Sequence, residues 1–265
     1  MLRQSYQRLA PQTYTPPQWP VELEAVVYRP RDRQPMPAVL VVHGGSWSAR
    51  APSDMNRICR YLAARGYVAV NVAYRLAPQH LFPAALRDLE QALNWMVANA
   101  ETLAIDPARI GAFGYSAGAH LAALLALTES AAAPRSRPAR GYSLRAVIAG
   151  GIPADLTKWP QSPVVRRFLG VSFRADPQLW VEASPIAHVS DTAPPFLLYH
   201  GGADRLVEAD QSRRLHQRLA ARGVRADLHI VPYHGHLSMF VLNRSALRRS
   251  TAFLADTLGG CLSGG

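Results

Sequence analysis

Apolar residues along this chain occur in two kinds of stretch, which predict two kinds of secondary structure. Residues 38–42 (AVLVV) form a continuous apolar run rich in valine, which is typical of a strand covered on both faces. A longer stretch instead places apolar residues at spacings of three and four: Leu86, Leu89, Leu93 and Met96. This spacing predicts a helix with one apolar face.

The same criteria predict strands and helices in alternation along the whole chain. The predicted strands cover residues 21–28, 38–42, 67–73, 109–114, 144–149, 196–199 and 227–231. The predicted helices cover residues 53–66, a stretch that begins at Pro83, residues 117–127, and then residues 209–222 and 238–258. We expect Ser53 to cap the first helix, Gly66 to end it, and residues 21–28 to form an edge strand.

This alternation predicts an α/β protein with a mostly parallel central sheet and helices on both faces. Ligands of such sheets bind at the carboxyl ends of the strands, so polar residues that directly follow a strand are candidates for chemistry. The 265 residues suit a single domain, residues 1–265, because no linker or internal repeat divides them. Within it we expect an N-terminal extension over residues 1–20 and a short cap over residues 151–190.

The composition is that of a globular protein, with 49% apolar and 18% charged residues. The net charge of +11 comes almost entirely from arginine, because Lys158 is the only lysine. The arginines are dispersed, even in their densest stretch at residues 134–145, and no aromatic platform is interleaved with them. We therefore expect no nucleic-acid partner and interpret the charge as a solvated basic surface.

Several classes of protein are disfavoured by what the sequence lacks. No apolar run reaches the roughly 18 to 20 residues of a membrane helix, so no transmembrane segment is expected. The N-terminus has no apolar signal-peptide core, which predicts a cytoplasmic protein. Cys59 and Cys261 form neither a disulfide framework nor a metal-site spacing. No Walker loop, dinucleotide fingerprint or H-E-x-x-H motif is present, so we expect no cofactor and no metal. The oligomeric state stays open.

The residues Gly114-Tyr115-Ser116-Ala117-Gly118 have the form G-x-S-x-G between a predicted strand and a predicted helix. This context is that of a nucleophile elbow, in which a serine stands in a strained turn and glycines avoid clashes with the adjacent strand and helix. The positive end of the following helix dipole points toward the serine oxygen. Ser116 is therefore the candidate nucleophile, against the alternative of an ordinary glycine-rich turn.

A second loop, His43-Gly44-Gly45-Ser46-Trp47, directly follows the strand at residues 38–42. Two glycines let its main chain approach a substrate closely, so backbone N–H groups here can bind an oxyanion. Gly45, Ser46 and Ala117 are the predicted donors of this oxyanion hole. We expect His43 to orient the loop and to take no part in the reaction.

Asp204 and His236 each follow a predicted strand, at the same sheet edge as Ser116. The chain order of serine, acid and histidine is that of α/β-hydrolases. His234 and His229 are alternatives to His236 as the base, and the three histidines together also raise the alternative of a metal site. Glu208 and Asp210 fall inside the following helix, which is predicted to begin at about residue 209, and are weaker acid candidates than Asp204.

At this point the sequence resembles the α/β-hydrolase superfamily, in its branch of hormone-sensitive-lipase-like bacterial carboxylesterases. The matching segments are VLVVHGGSW, NVAYRLAPQHLFPAAL, IGAFGYSAGAHLAALLAL, PPFLLYHGGADRLV and HGHLSMF. The resemblance implies an α/β-hydrolase fold with Ser116 as nucleophile, Asp204 as acid and His236 as base. Asp88 matches the acidic residue that this branch carries after its YRLAP segment.

One position departs from the carboxylesterase pattern and leaves the substrate class open. Where that branch has HGGG, this chain has Ser46 as the fourth residue, which is similar to the HGG-x-W form of arylformamidases. The favoured hypothesis is a serine esterase that acts on small, short-acyl esters through an acyl-enzyme. The alternatives are an arylformamidase-like amidase and a non-catalytic binding protein on the same fold. Trp47, Tyr115 and Trp159 are the candidate substrate contacts.

Overall fold

The computed structural model describes residues 6–32, 34–132, 143–242 and 244–259. Within these ranges nine strands form one sheet: β1 (Tyr6–Arg8), β2 (Gln12–Thr13), β3 (Glu24–Pro30), β4 (Met36–Val42), β5 (Val68–Val72), β6 (Ile105–Tyr115), β7 (Leu144–Gly150), β8 (Phe196–Gly201) and β9 (Ala226–Val231). Their order is β1-β3-β5-β4-β6-β7-β8-β9, and β2 also pairs with β3. The pairs from β5 to β9 are parallel, whereas β1, β2 and β5 are antiparallel to β3. The prediction of a mostly parallel sheet is confirmed.

Helices cover both faces of this sheet. They are α1 (Asn56–Ala63), α2 (Ala84–Ala98), α3 (Ala100–Leu103), α4 (Ala117–Ala132), α5 (Pro163–Leu169), α6 (Pro177–Glu182), α7 (Asp210–Ala220), α8 (His236–Leu242) and α9 (Arg244–Leu258). Buried residues of α2, α4 and α7 pack against one face, and those of α1, α8 and α9 against the other.

The apolar run in β4 shows why the sequence folds in this way. Leu40 and Val42 belong to one hydrophobic cluster, whereas Val39 and Val41 belong to the other. All four side chains are fully buried. Successive side chains of a strand point to opposite faces, so a strand covered on both sides must be apolar at every position.

The prediction of an edge strand at residues 21–28 is wrong in two respects, namely the place of the strand in the sheet and its first residue. β3 begins at Glu24 and lies inside the sheet, because β1 and β2 pair with its outer side. The N-terminal residues 6–13 thus add strands to the sheet, which a stretch of mixed polarity did not indicate. The sequence beyond Thr13 also contacts the core, where Tyr14 is buried and donates its hydroxyl to the Ala73 carbonyl at 2.7 Å.

The structure tests three of the helix predictions. Ser53 does not cap a helix; it lies in a 3-10 turn, Pro52–Met55, that precedes α1. Gly66 follows α1 with a φ of 87°, as expected of a left-handed residue after a helix. The predicted helix at residues 238–258 corresponds to α8, which begins two residues earlier than predicted at His236, and to α9, which ends at Leu258 as predicted.

The connection between β7 and β8 contains α5, α6 and two 3-10 turns, Leu156–Lys158 and Pro185–His188. It spans the residues 151–190 for which a short cap is predicted. Most of the basic stretch at residues 134–145 and Cys261 lie outside the described residues. In the part of the chain that the structure describes, we find no helix with the length and apolar character of a membrane span.

Candidate active site

Ser116 occupies the sharp turn between β6 and α4. Since β6 ends at Tyr115 and α4 begins at Ala117, Ser116 alone makes the turn, with a φ of 56°. This φ is uncommon for a residue with a side chain and indicates backbone strain. The Ser116 N–H donates to the Gly150 carbonyl at 2.8 Å, and the Ser116 carbonyl accepts the His120 N–H at 3.0 Å. These bonds hold the turn between β7 and the first turn of α4.

The two glycines of the motif are required by close backbone packing. A Cβ at Gly114 would overlap the carbonyl oxygen of Gly118, and a Cβ at Gly118 would overlap the carbonyl oxygen of Val42 at the end of β4. A side chain at either position would therefore push α4 away from the sheet.

The loop after β4 packs directly on this elbow. A Cβ at Gly44 would lie only 2.8 Å from the Tyr115 carbonyl oxygen and 3.3 Å from the Ser116 Cβ. The next three residues, Gly45, Ser46 and Trp47, all have positive φ values, of 113°, 54° and 59°. A run of left-handed residues turns the chain tightly, and it holds this loop beside the nucleophile candidate.

His43 orients the loop, as expected. Its ring stacks on Tyr74 with 4.3 Å between the centres, and its Nδ1 lies 2.7 Å from the Gly44 carbonyl oxygen. The Tyr74 hydroxyl donates to the His43 carbonyl at 2.9 Å. Burial lowers the pKa of His43, which therefore stays neutral at physiological pH. Tyr74 belongs to the YRLAP segment, and the next residue, Arg75, pairs with Asp88 at 2.7 Å.

Asp204 and His236 form a hydrogen-bonded pair beyond the ends of β8 and β9. His236 Nδ1 lies 2.6 Å from Asp204 Oδ2. The Asp204 side chain is fully buried, and the His236 side chain is 13% exposed. Because Nδ1–H donates to the carboxylate, the Nε2 atom of a neutral His236 carries a lone pair and can accept a proton.

Hydrogen bonds keep the Asp204 carboxylate ionised. Burial raises its pKa, but hydrogen bonds from His200, His236 and the Val207 N–H outweigh burial and hold the pKa of Asp204 below its ordinary value. The N–H groups of Leu206 and Val207 both donate to Oδ1 at 2.9 Å. His200 Nε2 lies 3.3 Å from Oδ2. Asp204 is therefore a fixed negative charge beside the imidazole.

Tyr115 connects the elbow to the segment that carries His236. Its hydroxyl donates to the His236 carbonyl at 2.5 Å, and its ring centre lies 5.2 Å from that of the imidazole. A Cβ at Gly151 would lie 3.1 Å from both His236 Cε1 and the Tyr115 hydroxyl. Since the preceding Gly150 binds the Ser116 N–H, a two-residue backbone segment adjoins both the serine and the histidine.

A cavity of about 400 Å³ opens at the elbow. Five of the predicted site residues contribute to its lining: Ser46, Trp47, Ser116, Ala117 and Trp159. The connection between β7 and β8 supplies much of the rest, including residues 158–162, and Leu206 and Val207 come from the loop after Asp204. The other predicted site residues, although described, are not part of the lining: Gly45, Tyr115, Asp204 and His236. Tyr115, expected to contact substrate, instead contacts His236.

The cavity residue Trp47 is fixed by α4 and α5. Its Nε1–H donates to His120 Nδ1 at 3.1 Å, and its ring stacks on Phe168 with 4.6 Å between the centres. His120 Nε2 in turn lies 2.7 Å from the Ala183 carbonyl oxygen. Burial lowers the pKa of His120 to about 4, so the ring is neutral and donates through Nε2.

The alternative histidines have other neighbours. His234 Nδ1 lies 3.1 Å from the Pro232 carbonyl oxygen, and His229 Nε2 lies 3.1 Å from the Ser245 hydroxyl. Over the described ranges, no group of three or more His, Cys, Asp or Glu side chains is arranged as a metal site would be. It is therefore His236 that the structure pairs with Asp204.

Sequence reasoning missed two buried histidines that support the site. His200 contacts Asp204, and His120 contacts Trp47, although the sequence motifs did not indicate a role for either histidine. Both are fully buried, and each uses both ring nitrogens in hydrogen bonds. Their positions could have indicated such a role, because His200 lies four residues before Asp204 and His120 lies four residues after Ser116.

Several known proteins are similar to this chain in sequence. The BD-FAE family model matches residues 26–219. Esterase LipC of Mycobacterium tuberculosis is 32% identical over 208 residues, which cover 74% of this chain and 51% of LipC. Esterase LipQ of the same organism is 33% identical over 235 residues, which cover 82% of this chain and 55% of LipQ. The chain thus spans about half the length of these relatives.

Solved structures share the fold. Est2, a thermophilic esterase from Thermogutta terrifontis, superimposes with a TM-score of 0.81 at 23% sequence identity. The superposition covers 97% of this chain and 95% of Est2.

Proposed function

The chain belongs to the BD-FAE family of α/β-hydrolases, and from this premise we propose that it is a serine hydrolase that cleaves carboxylic esters. The observation that carries the proposal is the meeting of three features at one sheet edge. These are an elbow serine that lines a cavity, a left-handed loop beside it, and a hydrogen bond between the buried Asp204 and the partly buried His236. The α/β-hydrolase fold expected from the sequence is confirmed by the family match and by the superposition on an esterase.

In the proposed reaction, His236 acts as the base for Ser116. The Nε2 atom takes the Ser116 hydroxyl proton while the oxygen attacks the ester carbonyl. The 2.6 Å bond from Nδ1 to Asp204 selects the required tautomer and stabilises the imidazolium that forms. The imidazolium then protonates the departing alcohol, and a water molecule repeats the sequence to release the acid.

The negative oxygen of the tetrahedral intermediate is held by backbone donors. We assign this role to the N–H groups of Gly45, Ser46 and Ala117, the last being the first residue of α4. The N–H groups of a helix's first turn have no acceptor within the helix and carry the positive end of its dipole. Each donor of such an oxyanion hole contributes on the order of 3 kcal/mol to transition-state stabilisation.

The connection between β7 and β8, residues 151–190, acts as a short cap within a single domain. Its side chains form one wall of the cavity, with Trp159, Val164 and Val165 as apolar members. A cavity of about 400 Å³ suits a small substrate, which favours short acyl groups.

A substrate panel tests the proposal. Hydrolysis of p-nitrophenyl acetate, butyrate and octanoate and of N-formylkynurenine is measured with the wild-type chain and with Ser116→Ala. We expect hydrolysis of the esters, highest for acetate or butyrate, and none above background in the variant. Equal activity of the variant would remove Ser116 from the mechanism. A preference for N-formylkynurenine would favour the amidase alternative that Ser46 raises, and an inactive wild-type chain would favour the non-catalytic one.

A further inference from the structure

The lining of the cavity contains the only lysine of the chain. Lys158 lines the same cavity as Ser116, together with Gln161 and Ser162. In a protein that otherwise uses arginine for its positive charge, this places a compact ammonium group on a flexible stem at the substrate site. Among the described lining residues, no carboxylate accompanies it.

The backbone that carries Lys158 is held in place by the core. Lys158 is the last residue of the 3-10 turn Leu156–Lys158. At the start of this turn, the Asp155 N–H donates to Gln211 Oε1 at 2.7 Å, and the Leu156 N–H donates to Ser184 Oγ at 2.9 Å. Gln211 belongs to α7, so the turn is tied to a helix of the main fold. The lysine therefore starts from a fixed point on the cavity wall.

The nearest acid on this turn does not neutralise Lys158. Asp155 Oδ2 pairs with Arg214 at 2.9 Å, and its Oδ1 accepts the Thr157 N–H at 3.1 Å and the Thr157 hydroxyl at 2.5 Å. The carboxylate of Asp155 is thus occupied by other partners. The charge of Lys158 remains available to a ligand.

The surroundings of the ammonium group strengthen its attraction for an anion. The Lys158 side chain is exposed, and Trp159, Pro160 and Val164 line the same cavity; an ester bound against these apolar residues would displace water from the ammonium group and lower the local dielectric there. The net charge of +11 adds a long-range field that favours the approach of anions. From these observations we propose that Lys158 is a specificity-determining residue, which directs the hydrolase toward esters that carry a carboxylate on their acyl or alcohol half. This inference rests on the proposed function.

Matched ester pairs test it. On the acyl side, mono-4-nitrophenyl adipate is compared with 4-nitrophenyl hexanoate; on the alcohol side, 3-acetoxybenzoate is compared with phenyl acetate. The quantity measured is the ratio of kcat/KM, anionic over neutral, in each pair after subtraction of the Ser116→Ala background. Lys158→Met removes the charge, and Lys158→Arg retains it. Arg167→Met removes an equal charge from an exposed position of α5 outside the cavity lining.

We expect Lys158→Met to lower the ratio by about threefold to tenfold in at least one pair, as for a partly solvated charge pair. The kcat/KM for the neutral esters should change less than that for the anionic esters, and Lys158→Arg and Arg167→Met should keep the wild-type ratios. The difference between wild type and Lys158→Met should shrink with added salt. Unchanged ratios in both pairs, with the neutral esters still hydrolysed, would overturn the inference alone. If the wild-type chain cleaves neither neutral nor anionic esters, the proposed function fails and the inference fails with it.

Discussion

The elbow around Ser116 is held by backbone packing, whereas the Asp204–His236 pair is held by hydrogen bonds between side chains and loop amides. At the elbow, Gly114, Gly118 and Val42 approach so closely that none of the glycines has room for a Cβ. Asp204 instead receives hydrogen bonds from two histidines and two loop N–H groups. One half of the site therefore depends on the core of the fold, and the other on a polar network that takes part in the proposed reaction.

The largest expected effects come from variants that remove the proposed nucleophile or the proposed base. Ser116→Ala and His236→Ala should each lower kcat by about 10⁴ to 10⁶, because nucleophile and base act as a unit. The double variant should lose no more than either single variant. Steady-state kinetics on p-nitrophenyl acetate measures all three, and circular dichroism confirms that they fold. Losses that multiply in the double variant would show that the two residues act independently.

At the elbow, adding a side-chain atom to a closely packed glycine should lower the free energy of unfolding strongly. Gly118→Ala places a Cβ on the Val42 carbonyl oxygen, so we expect it to lower the free energy of unfolding by at least about 4 kcal/mol. Gly223→Ala is the matched control, with a φ of 72° but no atom within 4 Å of its Cβ. Its cost should be about 1 to 2 kcal/mol, for the left-handed backbone alone. Equal costs in urea unfolding would contradict close packing at the elbow.

A smaller effect concerns the pH dependence of stability through His120. Its pKa is about 6.5 when unfolded and about 4 when folded, so its stabilising contribution is complete above pH 6.5 and is lost as pH falls toward 4. Between pH 7 and 5 the loss should be about 2 kcal/mol. In His120→Gln this part of the slope should disappear, because the amide can replace both hydrogen bonds without titrating. Urea unfolding at pH 7, 6 and 5 measures it, and an unchanged slope in the variant would show that His120 is not buried as a neutral ring.

The smallest effect tests the link between the two halves. Tyr115→Phe removes the hydroxyl that binds the His236 carbonyl. We expect kcat/KM to fall by about threefold to tenfold, equivalent to about 1 kcal/mol, through a lower kcat and a nearly constant KM. Tyr233→Phe, at a side chain that is 96% exposed, should have no effect. A rise in KM alone would instead place Tyr115 in contact with the substrate.

The elbow was accessible from sequence because its determinants are local. A strand, the G-x-S-x-G spacing and an apolar helix follow one another within about 25 residues, and each has its own periodicity. The apolar stripe of α2 was predictable for the same reason, since Leu89, Leu93 and Met96 all lie in the core.

The polar network was less accessible, because its contacts join distant parts of the chain. The partners of Tyr115 and Trp47 lie 121 and 73 residues away in sequence. No spacing rule indicates such pairs. The same limit explains the error at residues 21–28, where the neighbours of a strand are set by tertiary packing.

Ester hydrolysis by the proposed mechanism requires Ser116 to be a nucleophile that the Asp204–His236 pair activates. The most direct measurement is reaction with a fluorophosphonate probe, followed by mass spectrometry of the digested protein. We predict a single covalent adduct on Ser116 in the wild-type chain and none in His236→Ala under the same conditions. An ester-cleaving wild-type chain whose adduct lies on another residue, or that forms none, would contradict the central claim.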